Sequence, residues 1–169
     1  MNDIIRFAWG TSSLGDFIVA MSDKGIVALE FSSNQHAMED ALRARFPESA
    51  VERDQDGLTQ AATTVAGLID EPAIGCDLPL DLRGTPYEMT VWQMLREIPA
   101  GQTTTYGALA TRFGSRDPRD VTQAIANNAV AVIVPCHRVI KKDGSISGYR
   151  WGVGRKRALL SRERASQAH

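Results

Sequence analysis

The sequence predicts an α/β (α+β) protein: an N-terminal sheet with helices, followed by a mostly helical C-terminal half. Three observations carry this. Short β-prone runs separated by turn residues fill the first third. Apolar residues at helical spacing dominate most of the remainder. The charge also changes sign along the chain. Residues 1–82 hold 5 basic and 14 acidic side chains, net −9, and residues 83–169 hold 14 and 6, net +8. The sign change places a predicted domain boundary at Leu82/Arg83, between units 1–82 and 83–169. The formal total of −1 hides this division. A basic half points to an anionic partner for that half.

In chain order, Ile4 to Trp9, Phe17 to Met21 and Ile26 to Phe31 read as a β-meander, with turns at Gly15-Asp16 and Asp23-Lys24-Gly25. Met38, Ala41, Leu42, Arg45 and Phe46 follow helical spacing until Pro47. Val51 to Gly57 reads as a polar connector and Leu58 to Ile69 as a second helix. Asp77 to Leu82 alternates around a proline, which suits an edge strand or an extended linker. Thr85-Pro86-Tyr87-Glu88 forms a capping box with Pro at the first helical position. Tyr87, Val91, Met94, Leu95 and Ile98 then make one apolar face, ended by Pro99.

Two short helices follow, about 106–113 and 119–127, around the turn Gly114-Ser115-Arg116-Asp117-Pro118. The arrangement resembles a helix-turn-helix, a shape that other helical domains share. In the second of these helices Val121, Ala124 and Ile125 face inward by spacing, leaving Arg119, Thr122, Gln123 and Ala126 outward. Small outward residues allow close approach to another surface; a solvated polar face accounts for the same pattern. A last helix spans about 155–165.

Composition excludes several classes. With 43% hydrophobic and 23% charged residues, extended disorder is not expected. The run Ala129 to Val134 is too short to cross a bilayer, and Met1-Asn2-Asp3 lacks a secretory pattern. Two cysteines make no disulfide framework, which suits a cytoplasmic protein. Cys76, His36 and the other candidates lack zinc spacing, so no metal and no cofactor is expected.

The chemistry concentrates at Val130 to Ile140. An apolar, strand-like run ends at Pro135, and Cys136 follows. A thiol becomes a strong nucleophile only as thiolate, which needs a base or positive charge. His137 and Arg138 come next, with Lys141 and Lys142 close by. A buried inert cysteine beside a chance histidine satisfies the same adjacency. Glu163 lies four residues after Leu159 and three after Leu160, on the inward side of the last helix and at its unfavourable pole. It can orient His137 as a base held by a third group, or be screened by Arg155, Arg162 or Arg164.

Val134-Pro-Cys-His-Arg-Val139 resembles the signature of the O6-alkylguanine-DNA alkyltransferases, or methylated-DNA–protein-cysteine methyltransferases. Ser147-Gly-Tyr-Arg-Trp-Gly152 with Arg155-Lys156 is most similar to the C-terminal half of the bacterial adaptive-response protein. The resemblance implies an N-terminal sheet domain of ribonuclease-H-like shape and a C-terminal domain holding a helix-turn-helix. It implies Cys136 as alkyl acceptor, His137 as the group taking the thiol proton through a water, and Glu163 as its partner. Tyr106 matches the residue that protonates the leaving guanine. Arg119 matches the finger that fills the space of an extruded nucleotide, with Arg116 as the alternative. Thr122, Gln123 and Ala126 fall on the DNA-facing side of that helix. Asn128 matches a hinge, here followed by Ala129 where many members have Pro, while Val139, Tyr149 and Arg150 match the guanine pocket. The implied partner is double-stranded DNA containing O6-alkylguanine, with O4-alkylthymine a second substrate left open. The implied protein is a cytoplasmic monomer that reacts once. A lesion-binding module without chemistry and a cysteine hydrolase are the rival readings.

Overall fold

The structure is a computed structural model and describes residues 3–115, 117–146 and 148–167. Arg116, the alternative finger, and Ser147 lie outside the described residues. The expected meander forms. β1 (Ile4–Ser12) pairs antiparallel with β2 (Gly15–Met21), and β2 with β3 (Ile26–Phe31). β4 (Ala50–Arg53) adds parallel to β1, giving the order β3-β2-β1-β4. β4 overlaps the start of the stretch read above as a connector. An edge strand needs backbone pairing more than apolar side chains, and Glu52 and Arg53 stay exposed.

Side chains alternate across the sheet. Ile5, Phe7, Trp9, Ile18 and Ala20 face α1 (Gln35–Arg45), where Leu42 and Phe46 cover them. Ala8, Phe17, Val19, Leu29 and Phe31 face the other way. There they join α2 (Thr59–Asp70) and the C-terminal helices in one continuous core. Gly10 pairs with Phe17, and a Cβ on Gly10 would lie 2.4 Å from the Phe17 ring. Glycine is thus the residue that lets the ring lie across β1.

The segment from Asp77 proves to be mainly an extended linker along the edge of β3. Ile26 donates to Pro79 O at 2.8 Å and accepts from Asp81 N–H at 2.8 Å. α3 (Pro86–Arg96) opens with the expected capping box. Thr85 Oγ1 accepts from Glu88 N–H at 3.1 Å, and Glu88 Oε1 accepts from Thr85 N–H at 3.0 Å. A two-residue strand, β5 (Thr104–Thr105), leads into α4 (Tyr106–Phe113), which stops at Gly114 with φ +96°. α5 (Arg119–Ala126) buries Val121, Ala124 and Ile125, and Trp92 Nε1 donates to Ala124 O at 2.8 Å to hold it against α3. β6 (Val139–Ile140) pairs parallel with β5, and α6 (Val153–Gln167) closes the fold.

The apolar run before Cys136 is not a strand. Val130 makes a single bridge to Leu29, and the chain then turns, with Val132 at φ +67°. Leu29 N–H donates to Ala129 O and Ala131 N–H donates to Leu29 O, both at 2.8 Å. A short apolar run has no periodicity to separate a buried strand from a buried turn. Among the described residues no helix is long and apolar enough to cross a membrane.

Gly10→Ala should lower stability by about 1–3 kcal/mol, because the sheet cannot yield around the Phe17 ring. Gly67→Ala, exposed in α2 with open space around it, should raise stability by roughly 0.5–1 kcal/mol. Urea unfolding of both variants checks the pair.

Candidate active site

Cys136 sits in a one-turn 3-10 segment, Cys136–Arg138, between the turn at Val132 and β6. It is 5% exposed and forms part of a cavity of about 320 Å³. Tyr106, Thr122, Ile125, Ala126, Gly148, Tyr149 and Arg150 complete the lining. Three segments distant in sequence thus converge on one thiol: the start of α4, one side of α5, and the stretch before α6.

Asn128 holds the cysteine turn. Its Nδ2 donates to Val134 O at 3.0 Å and to Cys136 Sγ at 3.3 Å, and its Oδ1 accepts from Val130 N–H at 2.9 Å. This amide supplies the bonds that a strand ladder would otherwise supply. It is 2% exposed, so every one of these groups needs a partner inside the protein.

Behind the thiol lies a buried charge cluster. His137 and Glu163 are both fully buried, with His137 Nε2 2.7 Å from Glu163 Oε1. Arg138 Nε donates to Glu163 Oε2 at 2.8 Å and to Oε1 at 3.2 Å, and Arg138 Nη2 also bonds Oε2. Arg138 Nη1 donates to Ile98 O at 2.6 Å, tying the end of α3 to the cluster. Glu163 therefore faces inward as its spacing implied. Its screening cation is Arg138, not Arg155, Arg162 or Arg164. Arg155 instead donates to Leu14 O and Trp151 O, and Arg162 to Ile69 O and Ser13.

Burial pushes the Glu163 carboxyl up, but the hydrogen bonds from His137 and Arg138 outweigh it and hold the group below its ordinary value. Burial lowers the His137 imidazolium, against the pull of Glu163. The imidazole is then neutral near pH 7. With Nε2–H donated to Glu163, Nδ1 is left as the basic nitrogen.

Burial is also the main influence on Cys136 and pushes its thiol up to about 11. The Asn128 hydrogen bond and the charges of Lys156 and Arg150 act the other way. The cations that reach the sulfur are thus not those adjacent in sequence. Arg138 is committed to Glu163, and Lys141 and Lys142 are exposed. Lys156 is fully buried on α6, with Nζ 5.9 Å from the Tyr106 ring centre and 3.4 Å from Gly148 O. Sequence reasoning missed it as a site residue. The available signal was its place three residues before Leu159 and seven before Glu163, on the same inward face. Tyr106 is raised by burial and then by the Cys136 charge.

Other expected residues lie elsewhere. Val139 is fully buried in β6 opposite Thr104 and does not line the cavity. Arg119 and Gln123 lie on the exposed surface of α5, outside it. The Arg119 side chain is 90% exposed and folded back on Asp117, with Nη2–Oδ2 at 2.8 Å.

The site thus joins a buried thiol, a neutral imidazole hydrogen-bonded to a carboxylate, and a cavity beside an exposed helix face. Comparison with known proteins agrees. Residues 86–165 match the family model "6-O-methylguanine DNA methyltransferase, DNA binding domain". The chain is 39% identical over 163 residues to the Escherichia coli bifunctional transcriptional activator/DNA repair enzyme Ada, covering 96% of this chain and 46% of that protein. It thus spans about half the length of that relative. The inducible methylated-DNA–protein-cysteine methyltransferase of Bacillus subtilis is 34% identical over 157 residues, covering 90% of this chain and 87% of the relative. The Mycobacterium tuberculosis OGT solved in complex with DNA superposes with a TM-score of 0.78 at 30% identity, covering 95% and 93% of the two chains. The chain belongs to the methylated-DNA–protein-cysteine methyltransferase family.

The buried imidazole makes stability depend on pH in a definite sense. Because the folded-state value of His137 lies below its ordinary 6.5, the unfolded chain binds a proton there that the folded chain refuses. Stability should be fully present above pH 6.5 and fall on acidification through the lowered value. Glu163, held below its ordinary 4.5, continues the loss at lower pH. Urea midpoints measured at half-unit steps should decline as pH falls below 6.5. A flat profile between pH 7 and 5 would contradict the buried neutral imidazole.

Proposed function

We propose that this protein repairs DNA by transferring the alkyl group of O6-alkylguanine to Cys136 in a single, irreversible event. The observation that carries this is the placement of the thiol in a cavity lined on one side by Thr122, Ile125 and Ala126 of α5. On this reading α4 and α5 act as a helix-turn-helix, and α5 enters the minor groove with Thr122, Gln123 and Ala126 against the DNA. Small side chains there suit a narrow groove. Arg119 leaves Asp117 and fills the gap of the nucleotide turned into the pocket, where Tyr149 and Arg150 wall it. Extruding a base costs a few kcal/mol and less for a poorly paired one, and the basic half offsets that cost.

The chemistry follows from the buried groups. His137 Nδ1, with Glu163 behind it, takes the Cys136 proton through a water. The Sγ–carbon bond forms as the carbon–O6 bond breaks, and the electron pair leaves on guanine. Tyr106 protonates the leaving base, and the proton held on His137 restores the phenol. The product is a thioether with no carbonyl or phosphoryl centre for water to attack, so the chain does not turn over. Residues 1–82 serve as a scaffold for the working unit 83–169. The protein acts as a cytoplasmic monomer on double-stranded DNA.

Intact-mass measurement after incubation with duplex DNA carrying O6-methylguanine tests the reading. A gain of about 14 Da, one CH2 net, on Cys136 is expected. Loss of the methyl group from DNA without that adduct would contradict it. Cys136→Ala should abolish transfer and retain DNA binding that weakens with salt. Arg119→Ala should slow transfer from duplex DNA by roughly tenfold or more while leaving transfer from the free alkylguanine base unchanged. Equal slowing on both substrates would remove Arg119 from the DNA-opening role.

A further inference from the structure

Glu30 lies on β3, 3% exposed, in the acidic half of the chain. No step of the proposed chemistry uses it, yet three side chains converge there. Arg150 Nη2 lies 2.9 Å from its Oε1, and Trp151 Nε1 donates to the same oxygen at 3.4 Å. Arg45 Nη2, from the last turn of α1, lies 3.1 Å from Oε2. The next residue but one along the wall, Tyr149, packs edge-on against Trp151 with ring centres 5.2 Å apart. Arg150 also donates to Asn128 O at 3.0 Å, and the Asn128 side chain bonds the thiol. A continuous chain of contacts therefore runs from the sheet to the pocket wall and to Cys136.

The wall has little stiffness of its own. Gly148 and Gly152 bracket it, both in the left-handed region at φ +62° and +102°. Between them residues 149–151 belong to no helix or strand. Their position depends on side-chain tethers, and Glu30, on a strand anchored in the sheet, clasps both Arg150, which lines the cavity, and Trp151, which packs against the lining Tyr149. A carboxylate that only neutralised Arg45 would not need to meet Arg150 and Trp151 as well.

We propose that Glu30 is a specificity-determining positioning residue: by holding Arg150 and Trp151 it fixes the pocket wall and limits the size of the alkyl group admitted. This rests on the alkyl-transfer reading above. With the tether cut, the wall can retreat, and a benzyl group gains access relative to a methyl group. Size discrimination in a fixed apolar pocket is on the order of tenfold or more for small changes in the group.

The test is the ratio of transfer rates from O6-benzylguanine and O6-methylguanine, each read as adduct on Cys136, in wild type, Glu30→Gln and Glu30→Asp. Glu30→Gln keeps the side-chain volume and an acceptor for Trp151, and circular dichroism checks its fold. The benzyl-to-methyl ratio should rise about tenfold in Glu30→Gln and return toward wild type in Glu30→Asp. If Glu30→Gln does not fold, Glu30→Asp is compared directly with wild type, and its shorter reach should still raise the ratio. A ratio unchanged in a folded variant, or equal slowing with both groups, would overturn the proposal while leaving alkyl transfer intact. A wild-type protein that forms no adduct with either substrate would overturn alkyl transfer and this proposal together.

Discussion

The Glu163 carboxylate has no access to water, and an unpaired charge at that depth would cost several kcal/mol. Two neighbours in sequence, His137 and Arg138, supply its partners, and they are the two residues that follow Cys136. The same contacts that make the carboxylate tolerable therefore fix where Cys136 lies. Arg138 extends the restraint to Ile98, at the end of α3. From the other side Asn128 holds the sulfur and the preceding turn. Removing one member of such a cluster costs about 3–5 kcal/mol, so the site and the packing of the C-terminal half stand or fall together.

Burial also sets the protonation states on which the proposed chemistry depends. A thiol pushed up by desolvation stays protonated at neutral pH and is protected from adventitious reaction. It becomes a nucleophile only when its proton has somewhere to go. The imidazole is kept neutral by the same burial and oriented by Glu163, so its free nitrogen can accept that proton. On the proposed reading the charges of Lys156 and Arg150, which favour the sulfur anion over the thiol, act where charge develops.

Much of this was legible in the sequence because it is local or periodic. The meander, the capping box of α3 and the inward face of α5 follow from spacing alone. Glu163 was found from its offset to Leu159 and Leu160. What stayed hidden has identifiable causes. β4 is a four-residue edge strand with only Val51 packed against the core, too short for periodicity to mark. The turn at Val132 reads as a strand because its residues are buried on all sides. The cations adjacent to the thiol in sequence are not those near it in space, because Arg150 and Lys156 come from the stretch before α6 and from α6 itself. Glu30 meets Arg150 across 120 positions, a pairing that no local pattern encodes.

The dependence of single-turnover transfer on pH in the wild type and in Glu163→Gln tests the central claim, that the buried His137–Glu163 pair removes the thiol proton, most directly. The wild-type rate should hold near neutrality and fall as His137 is protonated on acidification. A folded Glu163→Gln should transfer about a hundredfold more slowly at pH 7 and recover as pH rises and hydroxide takes over the proton. A folded variant that matches the wild-type rate across the range would contradict the account.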